Sequence, residues 1–343
     1  MRVAFDAQLA VGTATGIGEY ANELLQALRA DDQCETIPLR SERLDPWRFD
    51  RRVLWDQFAL PWKAANSGAT LLHAASGTMP LLSKLPVVLT LHDVAWLRVQ
   101  QHTAPYARLY FGDFMRRCAM RARAIITISQ FSAREILQLH PDLDPARLHV
   151  TQLGVAADFS SIESGVGDGR SILVLGTVER RKNLEVVIRA LPGLPDARVI
   201  SVGPSTPYRA YCEQLAQQLG VRERVLFRGY LPRSEVLALY AQSAVLAMPS
   251  RYEGFGLPVA QARCAGLPVI AARGSSLDEL VEDPSQSLAP DDADAWREAL
   301  ARVLADPQRA RARAEASRST AIARFSWMHC ARATVEVYRI AST

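Results

Sequence analysis

Short β-branched and aliphatic runs alternate with helix-length amphipathic segments along the whole chain. In the first half RVAFDAQ, ETIPL, ATLLHAA, PVVLTLHDV, AIITIS and LHVTQLG read as strands, and in the second half SILVLGT, ARVISVG, VLFRGY, AVLAMPS and PVIAAR do. Strands alternating with amphipathic segments predict parallel sheets joined by crossover helices. The pattern fails once, in DFSSIESGVGDGR, so a linker is expected at about residues 156–170. After PVIAAR the spacing is helical, ending in FSWMHCARATVEVYRI. A chain of 343 residues accommodates two domains of roughly 150 residues each. The expectation is an α/β protein with a Rossmann-like domain over 1–160 and a second over 170–325, the closing helix at about 326–343 packing back on the first. Ligands of such sheets bind beyond the carboxyl ends of the strands, so function is expected in the loops that follow strands.

Composition narrows the class. Hydrophobic residues make up 49% and charged residues 22%, with no apolar run near the roughly 18 residues of a membrane span. MRVAFDAQLA enters a strand-like segment directly, without the basic start and cleavage site of a secretory signal, so a cytoplasmic location is expected. The five cysteines, Cys34, Cys118, Cys212, Cys264 and Cys330, form no C-x-x-C pair and read as buried thiols. A net charge of +4 argues against a dedicated nucleic-acid binder and suits an anionic small molecule or surface. Arginine supplies nearly all of it; the lysines are Lys63, Lys84 and Lys182.

Two loops have the same construction. In GTVERRKNLEVVIRAL a strand ends at Gly176 and Arg180, Arg181 and Lys182 lead into a helix, where cations and free backbone N–H groups make an anion site. The alternative is a solvated charged loop with Asn183 as helix cap. In RYEGFGLPVAQARCAGLP the strand AVLAMPS gives way to Gly254 and Gly256, which permit close approach of a ligand, and Pro258 suits the first helical position. Glu253 precedes the turn and Gln261 lies one turn into the helix. A carboxylate beside an anion site makes electrostatic sense if it accepts hydrogen bonds from neutral hydroxyls, as from a sugar; the alternative is a tight turn with Glu253 as a helix-end charge.

G-T-x-x-x-R-K-N followed by P-S-x-x-E-G-F-G-L-P resembles the retaining glycosyltransferases of family 4, which have the GT-B fold of two doubly wound Rossmann-like domains facing across a cleft. TGIGEY, LTLHDV, ITISQFSAREI and the FSW helix extend the resemblance through most of the chain, which looks most like the bacterial mannosyltransferase branch of surface polysaccharide synthesis. The resemblance implies a hexosyltransferase that uses a nucleoside diphosphate sugar, GDP-mannose favoured, and a saccharide or polyprenyl-diphosphate-linked acceptor, with no cofactor, no metal and no nucleic acid. It implies that Arg181 and Lys182 neutralise the donor diphosphate together with Thr177 and the helix start at Gly254, Phe255, Gly256 and Leu257. Glu253 matches the first glutamate of the E-x7-E motif, near the donor sugar hydroxyls. Gly16 and Gly18 match a glycine loop that approaches the phosphates and the acceptor, and His92 matches a strand-end histidine that contacts the donor sugar. The alternative for His92 is a satisfied histidine at a sheet edge.

The chain departs from the pattern twice. Gln261 stands where the family has the second glutamate, which binds ribose; an amide still accepts one hydrogen bond and donates another. Thr177 stands where many relatives have arginine, and Arg181 is the candidate replacement. Asp142/Asp144 and Asp292/Asp294 form D-x-D patterns, but both pairs precede helix-like runs, where aspartate caps, and Ser129 likewise reads as a cap. The resemblance implies front-face displacement, in which the protein stabilises charge and holds geometry. Two other readings compete. The loss of the second glutamate suits a GT-B epimerase or a non-catalytic sugar-nucleotide binder. GIGEYA with Glu35 fits a dinucleotide fingerprint, but VGTAT intervenes where a tight turn is needed and Glu35 would begin a strand. Finally, aromatic and arginine residues mix over Tyr106 to Arg123, which suits either an anionic membrane surface or a helix with its aromatics in the core.

Overall fold

The aliphatic runs of the first half form β1 (Arg2–Asp6), β2 (Glu35–Leu39), β3 (Leu71–Ala74), β4 (Val87–Thr90), β5 (Ala124–Thr127) and β6 (Leu148–Val150). Those of the second half form β7 (Ser171–Leu175), β8 (Arg198–Val202), β9 (Val225–Gly229), β10 (Val245–Met248) and β11 (Val269–Ala272). A strand of two residues, β12 (Ser287–Leu288), completes the set. The computed structural model describes residues 1–11, 16–45, 48–98, 110–163, 165 and 167–343. They fall into two compact units, Met1–Gly154 with Ser326–Thr343, and Val155–Phe325.

Each unit has one six-stranded sheet, ordered β2-β1-β3-β4-β5-β6 in the first and β12-β11-β10-β7-β8-β9 in the second. Every strand pair is parallel. The chain therefore reverses its direction of travel across the sheet once in each unit, beside β1/β3 and β7/β10. At such a switch point the loops leaving neighbouring strands diverge to opposite faces and open a crevice. In the second unit the two loops that leave it are those following Gly176 and Met248.

The first unit is closed by a segment distant in sequence. The Trp327–Ser342 helix packs along the Gly16–Asp31 helix, with Trp327 and Tyr20 rings 6.1 Å apart. It also pins β3: Tyr338 Oη lies 2.6 Å from His73 Nδ1, while His73 Nε2 lies 2.7 Å from Thr90 Oγ1. His73 is fully buried, and burial pushes its pKa down to about 3, so the ring stays neutral. Residues 49–65 form one continuous helical stretch, α-helical at Phe49–Leu54 and Leu60–Ala65 with a π turn at Trp55–Ala59 between them.

Several expectations need correction. The segment expected to be a linker opens with a helical turn, Ala157–Ser160, whose Phe159 is buried edge-on against Tyr240 at 5.1 Å. One aromatic in a polar stretch was enough to anchor it. Gly16 and Gly18 do not form a loop: Gly16 opens the Gly16–Asp31 helix and Gly18 is buried in its first turn. Part of the mixed aromatic segment, Tyr106 to Leu109, lies outside the described residues. In the rest, Phe114 packs on the core while Arg116 and Arg117 face water, as expected for an ordinary amphipathic helix. Ser129 caps its helix, accepting from Ser132 N, and Asp144 and Asp292 accept from Ala146 N and Ala295 N. All five cysteines are buried and free. Among the described residues no helix is long and apolar enough to cross a membrane.

Candidate functional site

In the second unit, parallel pairing of β7 with β10 brings the two loops into contact. After β7 the chain passes Gly176 and Thr177 and makes a 3-10 turn at Arg180–Lys182. Gly176 has φ 127°, and a Cβ there would lie 3.2 Å from Lys182 Cε, so glycine lets the lysine stem fold back over the strand end. After β10, Gly256 sits at φ 91° immediately before the Leu257–Cys264 helix. A Cβ on Gly256 would push on Leu277 Cδ2, so the buried leucine would have to shift, and the left-handed backbone itself favours glycine.

These turns put Lys182 Nζ 2.6 Å and Arg181 Nη1 3.4 Å from the two oxygens of the Glu253 carboxylate. Arg181 also donates to the Tyr252 carbonyl at 2.8 Å and to Glu179 at 2.8 Å. Glu253 is only 7% exposed. Burial alone would raise its pKa, but Lys182 and then Arg181 hold the carboxyl below the ordinary glutamate value, so it is ionised. Its partners are thus cations in addition to any hydroxyls. The carboxylate keeps two like charges side by side, which they would not tolerate alone. Its backbone is anchored too, since Ser276 Oγ donates to Glu253 O at 2.8 Å.

Asn183 occupies the N-cap position of the Leu184–Ala190 helix but does not cap it. Its φ is 55°, and its Nδ2 donates to Pro249 O at 3.2 Å and Pro290 O at 2.6 Å. The side chain ties the first loop to the second, which a cap could not do. Pro258 stands at the second helical position, Leu257 at the first. Phe255 turns inward, its ring 6.2 Å from Phe325, so this loop offers backbone and not an aromatic wall. Gln261 is buried, and its Oε1 accepts from Tyr240 Oη at 2.9 Å. The amide nitrogen has no hydrogen-bond partner among the described residues.

In the first unit, His92 follows β4 and is half-buried, its Nε2–H donating to Ala75 O at 3.0 Å. Tyr20 from the Gly16–Asp31 helix meets the imidazole edge-on at 4.7 Å. Burial lowers the His92 pKa, which favours the neutral tautomer with Nδ1 free to accept. The same carboxyl end holds a cluster that sequence reasoning missed. Asp6 accepts from Trp55 Nε1 at 2.9 Å and Ser76 Oγ at 3.0 Å, while Arg52 pairs with Asp56 at 2.9 Å and donates to Thr78 Oγ1 at 2.9 Å. It fixes the loop that carries Ala75. In the second unit the missed residues are Glu179, Tyr240 and Ser276. Glu179 had a signal in its place beside Arg180 and Arg181; Tyr240 and Ser276 had none, because their partners are 21 and 23 positions away. Glu35 opens β2 and pairs with Arg2 at 2.9 Å, so it is not at the strand end that a dinucleotide ribose requires.

A pair of basic and glycine-rich loops at the switch point of a doubly wound sheet defines an α/β protein built to bind a nucleotide phosphate. Residues 15–159 match the family described as Glycosyltransferase Family 4, and residues 159–320 match Glycosyl transferases group 1. Over 317 residues the chain is 29% identical to the MMP alpha-(1->4)-mannosyltransferase of Mycolicibacterium hassiacum, covering 89% of this chain and 74% of that one. Over 275 residues it is 28% identical to O-antigen chain mannosyltransferase B of Escherichia coli, covering 74% and 70%. Sucrose-phosphate synthase from Thermosynechococcus elongatus has the same fold, with a TM-score of 0.74, 23% identity and 98% of each chain covered. The chain belongs to the family 4 glycosyltransferases, with the GT-B fold, and is a hexosyltransferase that uses a sugar nucleotide.

Proposed function

We propose that this enzyme transfers mannose from GDP-mannose, with retention at the anomeric carbon, to a saccharide or polyprenyl-diphosphate-linked acceptor in bacterial surface polysaccharide synthesis. The observation that carries the reading is the ionised Glu253 held between Lys182 and Arg181 at the β7/β10 switch point. Lys182, Arg181 and the helix start at Gly254, Phe255, Gly256 and Leu257, with Thr177 beside them, would hold the donor diphosphate, and Glu253 would take hydroxyls of the transferred sugar. Gln261 would meet the ribose through its amide N–H, because Tyr240 already occupies the oxygen. His92 keeps the role that the resemblance implies, and Gly16 and Gly18 would take theirs from the start of a helix and not from a loop.

In the step itself the bond from the anomeric carbon to the diphosphate oxygen breaks and the bond to the acceptor oxygen forms on the same face. The acceptor proton passes to the departing diphosphate, whose charge Lys182 and Arg181 neutralise, so the reading requires no metal and no cofactor. The mannosyltransferase relatives support mannose as the sugar. A polyprenyl-diphosphate-linked acceptor would put the enzyme at the cytoplasmic face of the membrane. The test is a thermal-shift panel of nucleoside diphosphates and their sugars, followed by transfer from labelled GDP-mannose and NMR of the product's anomeric configuration. GDP-mannose should raise the melting temperature most. A preference for a uridine donor, or an inverted product, would overturn the reading.

A further inference from the structure

The helical stretch 49–65 is apolar on its exposed face as well as on its buried one. Arg52, Trp55, Asp56, Leu60 and Ala64 face inward and are buried, an ion pair among them. Leu54, Phe58 and Trp62 face outward and are 43%, 68% and 67% exposed. Steps of four residues keep a row on one face of a helix, and the π turn Trp55–Ala59 lets this row continue past its centre. Gln57 extends the surface: its Nε2 donates to Met79 O and its Oε1 accepts from Leu81 N, both at 3.1 Å. The next residue, Leu82, is 86% exposed. Scattered exposed apolar residues need no explanation, but a row of this size does.

The surrounding charge says what covers it. Between residues 48 and 84 the unburied ions are Arg48, Arg51, Lys63 and Lys84 against Asp50 alone, so two of the chain's three lysines are here. The 79–86 loop also borders an open pocket of about 850 Å³, lined by Leu81 and Leu85, by Arg121, Arg123 and Arg147, and by Asp144. Lysine is depleted at protein–protein interfaces, and a twofold contact between copies would bring like charges together. Exposed apolar and indole side chains in a stretch with an excess of cations suit the headgroup zone of an anionic bilayer.

We propose that this face docks the enzyme on an anionic phospholipid membrane, with Leu54, Phe58, Trp62 and Leu82 entering the interfacial layer and Lys63, Lys84, Arg121 and Arg123 meeting lipid phosphates. The proposal deepens the membrane-side part of the reading above and moves it to a different surface from the Tyr106 to Arg123 segment, of which only the last arginines take part.

The test is co-sedimentation of the full chain with vesicles of phosphatidylglycerol and phosphatidylethanolamine, against vesicles of phosphatidylcholine alone. Binding should require the anionic lipid and fall with added salt. Phe58→Ser with Trp62→Ser should lower the bound fraction about ten-fold, with the thermal shift by GDP unchanged as a control of folding. Trp62→Phe should retain binding while losing the quenching of its indole by brominated lipid. Wild-type protein that stays in the supernatant, a double variant that binds equally, or a dimer in light scattering that the double variant converts to monomer would each overturn the proposal. Vesicle binding without a GDP shift would support this surface and count against the donor assignment instead.

Discussion

At the scale of single residues, the site turns on one carboxylate shared by two cations. Removing Lys182 takes away the charge nearest Glu253, which the proposed function also assigns to the donor diphosphate, and leaves the buried carboxylate with Arg181 as its cation. Lys182→Ala should lower transfer by roughly a hundred-fold or more and cost on the order of 1–3 kcal/mol of stability. Adding Glu253→Gln should return part of that stability without returning activity. Denaturant titration and transfer rates on both variants separate the electrostatic role from the structural one. Gln261 makes a finer test. In Gln261→Glu a carboxylate has oxygens for both Tyr240 and a ribose hydroxyl, so the KM for the nucleotide sugar should fall several-fold with kcat little changed. An unchanged KM would place the ribose elsewhere. Lys182 and Glu253 were legible in the sequence as chemistry at strand ends, but their ion pair was not, since 71 positions separate them.

At the scale of elements, nearly every strand was legible because buried parallel strands are runs of aliphatic residues. The strand the pattern did not reveal, β12, has two residues and too short a run to register. Helix starts were less legible. Gly16 and Gly18 read as a loop and proved helical, because glycine lowers helix propensity without forbidding the conformation. Asn183, a cap in the alternative reading of its loop, proved a tie between loops, a choice set by where Pro249 and Pro290 lie. Gly256 is the position where element and site depend on each other. Gly256→Ala should destabilise the second unit by roughly 1–3 kcal/mol, through a left-handed φ and a clash with Leu277. Nucleotide binding should weaken along with it. A variant as stable as the parent would show that Leu277 moves aside.

At the scale of the whole molecule, each unit carries its own response to acid. His73 in the first unit has a pKa of about 3 when folded, well below its ordinary 6.5. The unfolded chain therefore takes up a proton that the folded one refuses, and stability falls as pH drops below about 6.5, by at most about 1.4 kcal/mol per pH unit. Glu253 in the second unit has a depressed pKa, so its contribution is complete above its ordinary value of 4.5 and is lost as pH falls through the folded one. Melting temperatures from pH 8 to pH 4 should therefore decline first through the first unit. His73→Gln should make the decline shallower at every pH below about 6.5, and the slope that remains above pH 4.5 belongs to His92, His140 and His149, whose pKa values burial also lowers.

The sequence by itself determined the class of fold and the short list of chemistry. Periodicity is a local property, and the residue types that bind phosphate appear at strand ends whatever the rest of the chain does. Only the tertiary structure decided how those residues are used. Strand order alone makes β7 and β10 neighbours, so that Lys182 meets Glu253 and Tyr240 takes the oxygen of Gln261. The apolar outer row of the 49–65 stretch was equally hidden. A helical period shows that two faces differ, whereas burial of Arg52 and Asp56 beneath an apolar outer row depends on hydroxyl partners at Ser76 and Thr78, from a loop that folding brings alongside.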